Sequence, residues 1–307
     1  MNLLDSGVHI EFVVTNEDKP RGRSKKPIPT EVAEVALQKN IPLFRFKSLK
    51  LPEVETILRS YKCDIYFIFA YGKLLPENIF TIPPGGTVNL HASILPLLRG
   101  ASPIQSAILE GYKSTGWTLQ MITEELDAGD ILLSKEIAIN ENDNAAELTE
   151  RLLRPGTEIS LELINNFDKY FKSRIPQNSE NATFCTKIKT SMAVIDWNQS
   201  ADAIHNKIRA FNPSPVARTF LRGKMIKLYE SRLPDEATRN DLEKQLLKAP
   251  PGLCLVVSEG KKRRLYLNTA KGILEIISLQ PENKKIMDSG SFINGYRLED
   301  GECFGSL

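Results

Sequence analysis

The sequence predicts an α/β protein: a Rossmann-like, mostly parallel sheet domain followed by a small C-terminal β-barrel of OB-like type. Three observations carry this. Apolar strands alternate with helices through the first part of the chain, an order that builds parallel sheets with crossover helices. Short strands with turns between them fill roughly the last hundred residues, as in a small barrel. The length of 307 residues suits two domains at about 100–200 residues each.

The elements follow in order. His9–Thr15 (HIEFVVT) is an apolar, β-branched run and reads as a buried strand, with His9 a structural residue at its edge. Thr30 caps a helix through Asn40, with Val32, Val35, Ala36 and Leu37 as its apolar side. Ile41–Phe44 is a short strand, Pro52–Tyr61 a helix, and Asp64–Ala70 (DIYFIFA) a strongly apolar strand. Gly86–Leu90 is the next strand. Ser102 and Pro103 open a helix as cap and first helical residue, and Gly111 closes it. Trp117–Thr123 and Ile131–Ile139 read as strands. Asn144–Phe171 reads as helix interrupted at Pro155 and Gly156. The polar, aperiodic stretch Ser173–Ala182 opens a linker that ends near Trp197. Ser200 caps a helix through Phe211, where His205 reads as a surface or interface residue. Lys224–Tyr229, Leu253–Val257, Arg264–Leu267 and Gly272–Leu279 are the barrel strands.

Composition narrows the classes of function. Hydrophobic residues at 41% and charged residues at 25% exclude a disordered tail or a collagen-like repeat. No apolar run is long enough to span a membrane. The opening Met1–Gly7 has no basic or apolar signal region, which predicts a cytoplasmic chain. Cys63, Cys185, Cys254 and Cys303 are widely spaced and read as reduced thiols, with no metal site. The net charge of +2 is uneven: residues 18–26 (DKPRGRSKK) carry +4 and the rest of the chain −2. Pro20, Gly22, Pro27 and Pro29 keep this stretch out of helices and central strands. A flexible basic loop of this kind reaches phosphates, although a solvated surface loop has the same composition.

The chemistry concentrates in Asn89–Gly100 (NLHASILPLLRG). Asn89 and His91, two apart at a strand's end, point the same way, toward the crevice where such sheets bind ligands. Asp127 sits in a tight turn with Gly129, from which a carboxylate can reach His91. The three residue types suit acyl transfer to an amine. The amide and the imidazole donate to an oxyanion, and the carboxylate orients the imidazole or relays protons through a water. The plain alternative is that Asn89 closes a turn and Asp127 caps one.

These motifs resemble the signatures of the folate-dependent formyltransferases. The resemblance rests on Asn89–Gly100 with Ala101–Gln105, on Glu125–Asp130 (ELDAGD), and on Phe69–Pro76 (FAYGKLLP). Arg209–Pro215 and Ser278–Lys285 extend it to the C-terminal region. It implies transfer of the formyl group of 10-formyltetrahydrofolate to the α-amino group of methionine on initiator methionyl-tRNA, for translation initiation. It implies Asn89, His91 and Asp127 as the catalytic set. Ser93, Ile94, Leu95, Pro96, Tyr71 and Gly72 would line the folate site, with no metal. Lys19, Arg21, Arg23, Lys25 and Lys26 would meet the tRNA acceptor stem, with Arg218, Arg222, Lys224 and Lys227 as further phosphate contacts. The expected organisation is a catalytic domain over 1–176, a linker over 177–200 and a tRNA-binding barrel over 201–307, acting as a monomer away from membranes.

Three departures from the family pattern stand out. The resemblance implies an opening strand and glycine turn ahead of Leu3–Gly7, central to the sheet, which has no counterpart here. Trp117 replaces a smaller β-branched residue, and Ser214 replaces an aromatic between two prolines. Two alternatives stay open: formyl transfer to an amino-sugar nucleotide, and tRNA binding with impaired catalysis. Glycinamide ribonucleotide formyltransferases lack the C-terminal barrel and fit less well.

Overall fold

The computed structural model describes residues 3–20, 26–246, 249–260 and 262–305. They group into two compact units: Met1–Ala101 with Gly116–Glu136 and Leu152–Phe184, and Ser102–Thr115 with Ile137–Arg151 and Cys185–Leu307.

In the first unit, β1 (Val13–Val14) pairs in parallel with β4 (Leu43–Phe44). Between them lie a hairpin of β2 (Lys19–Pro20) and β3 (Pro27–Ile28), then α1 (Glu31–Gln38). The Thr30 hydroxyl accepts the Ala33 N–H at 3.2 Å and starts α1 as expected. The expected apolar side of α1 is corrected. Ala33 and Ala36 face inward, whereas Val32, Val35 and Leu37 are exposed. The inward stripe falls on small residues, which lets the helix lie close to β1 and β4.

After α2 (Pro52–Arg59), β5 (Tyr66–Phe69) leads through α3 (Glu77–Phe80) to β6 (Thr87–His91), and the two strands pair in parallel. After the short β7 (Arg99–Gly100) and α4 (Pro103–Leu109), β8 (Ser114–Met121) joins β6 antiparallel and β9 (Ile131–Ala138) follows. The sheet order is β5-β6-β8-β9. Among the described residues it is not hydrogen-bonded to the β1-β4 pair. Instead the Phe12 and Tyr66 rings meet edge to face, and the Asn16 amide donates to the Tyr71 carbonyl at 2.9 Å.

The expected break at Pro155 is also corrected. α5 (Ala145–Asn165) runs through it, and the chain breaks later, before α6 (Phe167–Lys172). Trp117 explains the Gly156 beside it: the indole N–H donates to the Leu152 carbonyl, and a Cβ on Gly156 would lie 2.8 Å from that nitrogen. The large residue at 117 is thus accommodated by the missing side chain at 156. The segment then reaches β10 (Phe184–Cys185).

In the second unit, α4 packs on α7 (Ala201–Ala210), which Ser200 caps. Ser102 makes no side-chain cap on α4. An antiparallel sheet runs β11 (Ala217–Leu221), β12 (Lys224–Arg232), β15 (Ile273–Pro281), β14 (Lys262–Asn268), β13 (Cys254–Glu259), with β16 (Met287–Asp288) on β15. The C-terminal segment bridges both edges: Gly305 pairs with Phe220 of β11, and Cys303 with Leu253 beside β13. This is how the expected barrel is drawn toward closure. Gly252 makes it possible. Its φ is +87°, and a Cβ there would sit 2.0 Å from the Phe304 carbonyl oxygen. Two helices of this unit were not predicted, α8 (Glu236–Leu246) and α9 (Ser289–Tyr296).

His205 is buried, not on the surface. Its Nδ1 lies 2.9 Å from the Ser231 hydroxyl and its Nε2 3.3 Å from the Glu141 carbonyl. Burial pushes its pKa below the ordinary 6.5. The unfolded chain therefore takes up the proton first, so this stability is present above pH 6.5 and lost as pH falls. Denaturant titrations between about pH 7 and about pH 5 should show a steeper loss of stability in the wild type than in His205→Gln.

Candidate active site at the ends of the parallel strands

Parallel strands β5 and β6 end side by side; Asn89 and His91 lie on β6, residues 71–72 and 93–96 follow β5 and β6, and Asp127 lies in the turn after β8. Asn89 pairs with Gln120 of β8, and His91 with Thr118. Ladder partners and residues two apart share a face, so Asn89, His91, Thr118 and Gln120 form one polar face of an otherwise apolar ladder. The opposite face carries Val88, Leu90, Leu119 and Met121.

His91 is 6% exposed. Its Nε2 lies 2.9 Å from the Leu98 carbonyl oxygen. That oxygen only accepts, so Nε2 carries the hydrogen in this arrangement. Nδ1 then faces Asp127, 3.6 Å from Oδ1. The Asp127 carboxylate also accepts the Gly100 N–H at 2.8 Å on Oδ2 and the Gln120 amide at 2.9 Å on Oδ1. The structure thus brings His91 and Asp127 together and places Asn89 two residues before His91, half-buried on the same strand.

Residues 93–96 form the loop after β6, with a cis bond between Leu95 and Pro96. Thr118 holds this loop. Its hydroxyl donates to the Ser93 carbonyl at 2.7 Å and accepts the Leu95 N–H at 3.1 Å. Ser93 Oγ donates to the Leu97 carbonyl. The Leu95 side chain is core, at 4% exposure, and Ile94 and Pro96 are partly buried. Tyr71 and Gly72 follow β5 in the neighbouring loop. The Tyr71 hydroxyl is buried with no hydrogen-bond partner among the described residues, and burial pushes its pKa up. Gly72 faces open space. An orphaned hydroxyl beside an open glycine suits a polar ligand lying across the two loops.

Of the basic loop, Lys19 is exposed on β2, Lys26 leads into β3, and Arg21, Arg23 and Lys25 lie outside the described residues. Lys19 stands opposite Ile28 in the β2–β3 pair. In the second unit, Arg222 is committed to Glu302 through two hydrogen bonds, and Arg218 donates to the Thr190 carbonyl. Sequence reasoning missed Thr118, Gln120, Gln177 and the buried role of Arg99. The signal for two of them was available: Thr118 and Gln120 are polar at alternate positions of an apolar strand.

The chain matches the formyl transferase family over residues 2–164 and the formyl transferase C-terminal domain over 187–297. A methionyl-tRNA formyltransferase of Leptospira interrogans is 40% identical, over 99% of this chain and 94% of that protein. One of Syntrophomonas wolfei is 34% identical, over 99% and 93%. Among solved structures, an N-formyltransferase of Helicobacter canadensis, in complex with folinic acid and dTDP-3-aminofucose, superposes with a TM-score of 0.59 at 18% identity, covering 83% of this chain and 85% of that one. HypX of Aquifex aeolicus, in complex with tetrahydrofolic acid, gives 0.56 at 19%, covering 84% and 44%. At these identities the two structures speak to the fold alone.

Thr118→Val is nearly isosteric but leaves the Ser93 carbonyl and the Leu95 N–H without their partner. It should cost about 1–3 kcal/mol in denaturant unfolding, with faster amide exchange at Leu95.

Proposed function

The chain belongs to the formyl transferase family, and we propose that it transfers the formyl group of 10-formyltetrahydrofolate to the α-amino group of methionine on initiator methionyl-tRNA. The observation that carries this reading is the approach of His91 to Asp127, with Asn89 two residues before His91 on the same strand, in a chain similar over 99% of its length to a methionyl-tRNA formyltransferase. Residues 1–176 act as the catalytic domain, 177–200 as the link and 201–307 as the tRNA-binding domain. The protein works as a monomer in the cytoplasm, where its acceptor is found.

Formyl transfer to an amine needs no protein nucleophile. The neutral amine nitrogen bonds to the formyl carbon, the carbonyl oxygen takes up negative charge, and the bond to the donor nitrogen breaks as the oxygen's electron pair returns. The Asn89 amide donates to that oxygen. His91, with Nε2–H on the Leu98 carbonyl and Nδ1 toward Asp127, handles with that carboxylate the proton that the amine loses and the donor nitrogen gains. The donor lies across the loops at 71–72 and 93–96, where the Tyr71 hydroxyl offers a polar contact. The basic residues Lys19, Arg21, Arg23, Lys25 and Lys26 hold the acceptor-stem phosphates.

A formylation assay with charged initiator tRNA and 10-formyltetrahydrofolate tests the reading. Transfer to an amino-sugar nucleotide but not to tRNA would overturn it, as would tight tRNA binding with no turnover. His91→Ala should lower kcat about 10²–10⁴-fold with tRNA affinity nearly unchanged. Replacing Arg21, Arg23, Lys25 and Lys26 by Gln should weaken tRNA binding and flatten its salt dependence by about one unit of slope per lost contact; an unchanged slope would mean the loop is only solvated.

A further inference from the structure

The Asp127 carboxylate is the end of a longer chain of hydrogen bonds. Gln120 Nε2 donates to Oδ1, and Gln120 Oε1 lies 3.2 Å from Gln177 Nε2. That same Gln177 nitrogen lies 3.0 Å from the Asp127 carbonyl oxygen and 2.8 Å from that of Gly129. Gln177 Oε1 accepts from Arg99 twice, from Nε at 3.1 Å and Nη2 at 2.9 Å.

The direction of donation is fixed at both ends of the chain of bonds. A guanidinium has five N–H groups and no acceptor, so it turns the Gln177 oxygen toward itself and the Gln177 NH₂ toward the turn. The Asp127 carboxylate only accepts, so it turns the Gln120 NH₂ toward itself and leaves the Gln120 oxygen facing Gln177. Donation runs one way, from Arg99 through Gln177 and Gln120 to Asp127. Arg99 is 1% exposed and Gln120 0%, so water does not compete for these groups. The turn needs such support. Asp127 has φ +51°, a left-handed conformation that favours glycine. Behind it, a Cβ on Gly129 would lie 1.8 Å from the Met121 carbonyl oxygen, so the turn is pressed against β8.

We infer that Gln177, set by Arg99, and Gln120 are positioning residues for Asp127: they hold the left-handed turn and keep its carboxylate facing His91 Nδ1. This rests on the reading of Asp127 as part of the catalytic set. The competing role for Gln177 is merely to satisfy the buried Arg99.

Gln177→Glu separates the two. A glutamate keeps an acceptor for Arg99 but offers no N–H to the turn or to Gln120. If Gln177 positions Asp127, kcat for formyl transfer should fall about tenfold or more in Gln177→Glu and in Gln120→Leu, with KM for both substrates within about twofold. The Gly100 amide, which is bonded to Asp127 Oδ2, should exchange about tenfold faster by NMR in both variants. Wild-type kcat and wild-type Gly100 protection in Gln177→Glu would overturn the inference, as would a change confined to KM. Should the wild-type chain not formylate charged tRNA, the functional reading fails alone, and Gly100 exchange still decides the positioning role.

Discussion

The site depends on the burial of one charge. Arg99 is 1% exposed, and a guanidinium keeps its proton in any protein environment, so the surrounding chain must supply what water would. Gln177 takes two of its N–H groups, and the Glu125 carboxylate lies 3.2 Å from a third nitrogen. These partners come from two separate stretches: the turn after β8 and the segment after α6. The residues on either side of Arg99 are fixed as a result. Leu98 presents its carbonyl to His91 Nε2, and Gly100 presents its N–H to Asp127 Oδ2. Leu98 and Gly100 both have positive φ, +58° and +121°, so the backbone turns sharply around the buried arginine. One side chain's burial thereby sets the backbone contacts at both ends of the His91–Asp127 pair.

The sheet supplies the rest of the geometry by alternation. In β6 and β8, residues two apart share a face and ladder partners stand opposite, so four polar side chains gather on one face with no loop involved. That face is expensive to bury unless its groups bond to one another or to the backbone. Thr118 meets this by holding the 93–95 loop, and Gln120 by reaching Asp127. The polar alternation that marks the site in the sequence is therefore also what ties the two loops down.

Much of this was readable before any coordinates. Periodicity and caps located most strands and helices, because Thr30 and Ser200 declare helix starts through chemistry confined to three residues. The strand-end position and the glycine turn put Asp127 within reach of His91, and these two side chains do meet. Local signals misled where a tertiary neighbour decided. α1 turned its alanines inward because β1 and β4 lie close, and α5 ran through Pro155 with Trp117 settled against Gly156. His205 looked like a surface or interface residue, and its burial was not legible because its partners, Ser231 and Glu141, are far away in sequence.

The segment after α6 shows the limit most sharply. Polar, aperiodic residues from Ser173 onward read as a linker, since nothing in them repeats at 3.6 or 2. Yet Ile175 exchanges backbone hydrogen bonds with Ile131, Gln177 bonds the turn at Asp127, and Thr183 accepts the N–H groups of Leu98 and Arg99. Periodicity detects residues that bury an apolar face. It is blind to residues whose task is to satisfy backbone groups that have left the ladder. Both site loops do leave the β5-β6-β8-β9 sheet, one at Leu98–Gly100 and the other at Asp127–Gly129, and their carbonyls and N–H groups need partners that this sheet does not provide. An irregular polar segment can meet such irregular demands because it is free of a repeat. Composition that reads as a spacer and a role in holding a site together are, for this segment, consequences of the same property.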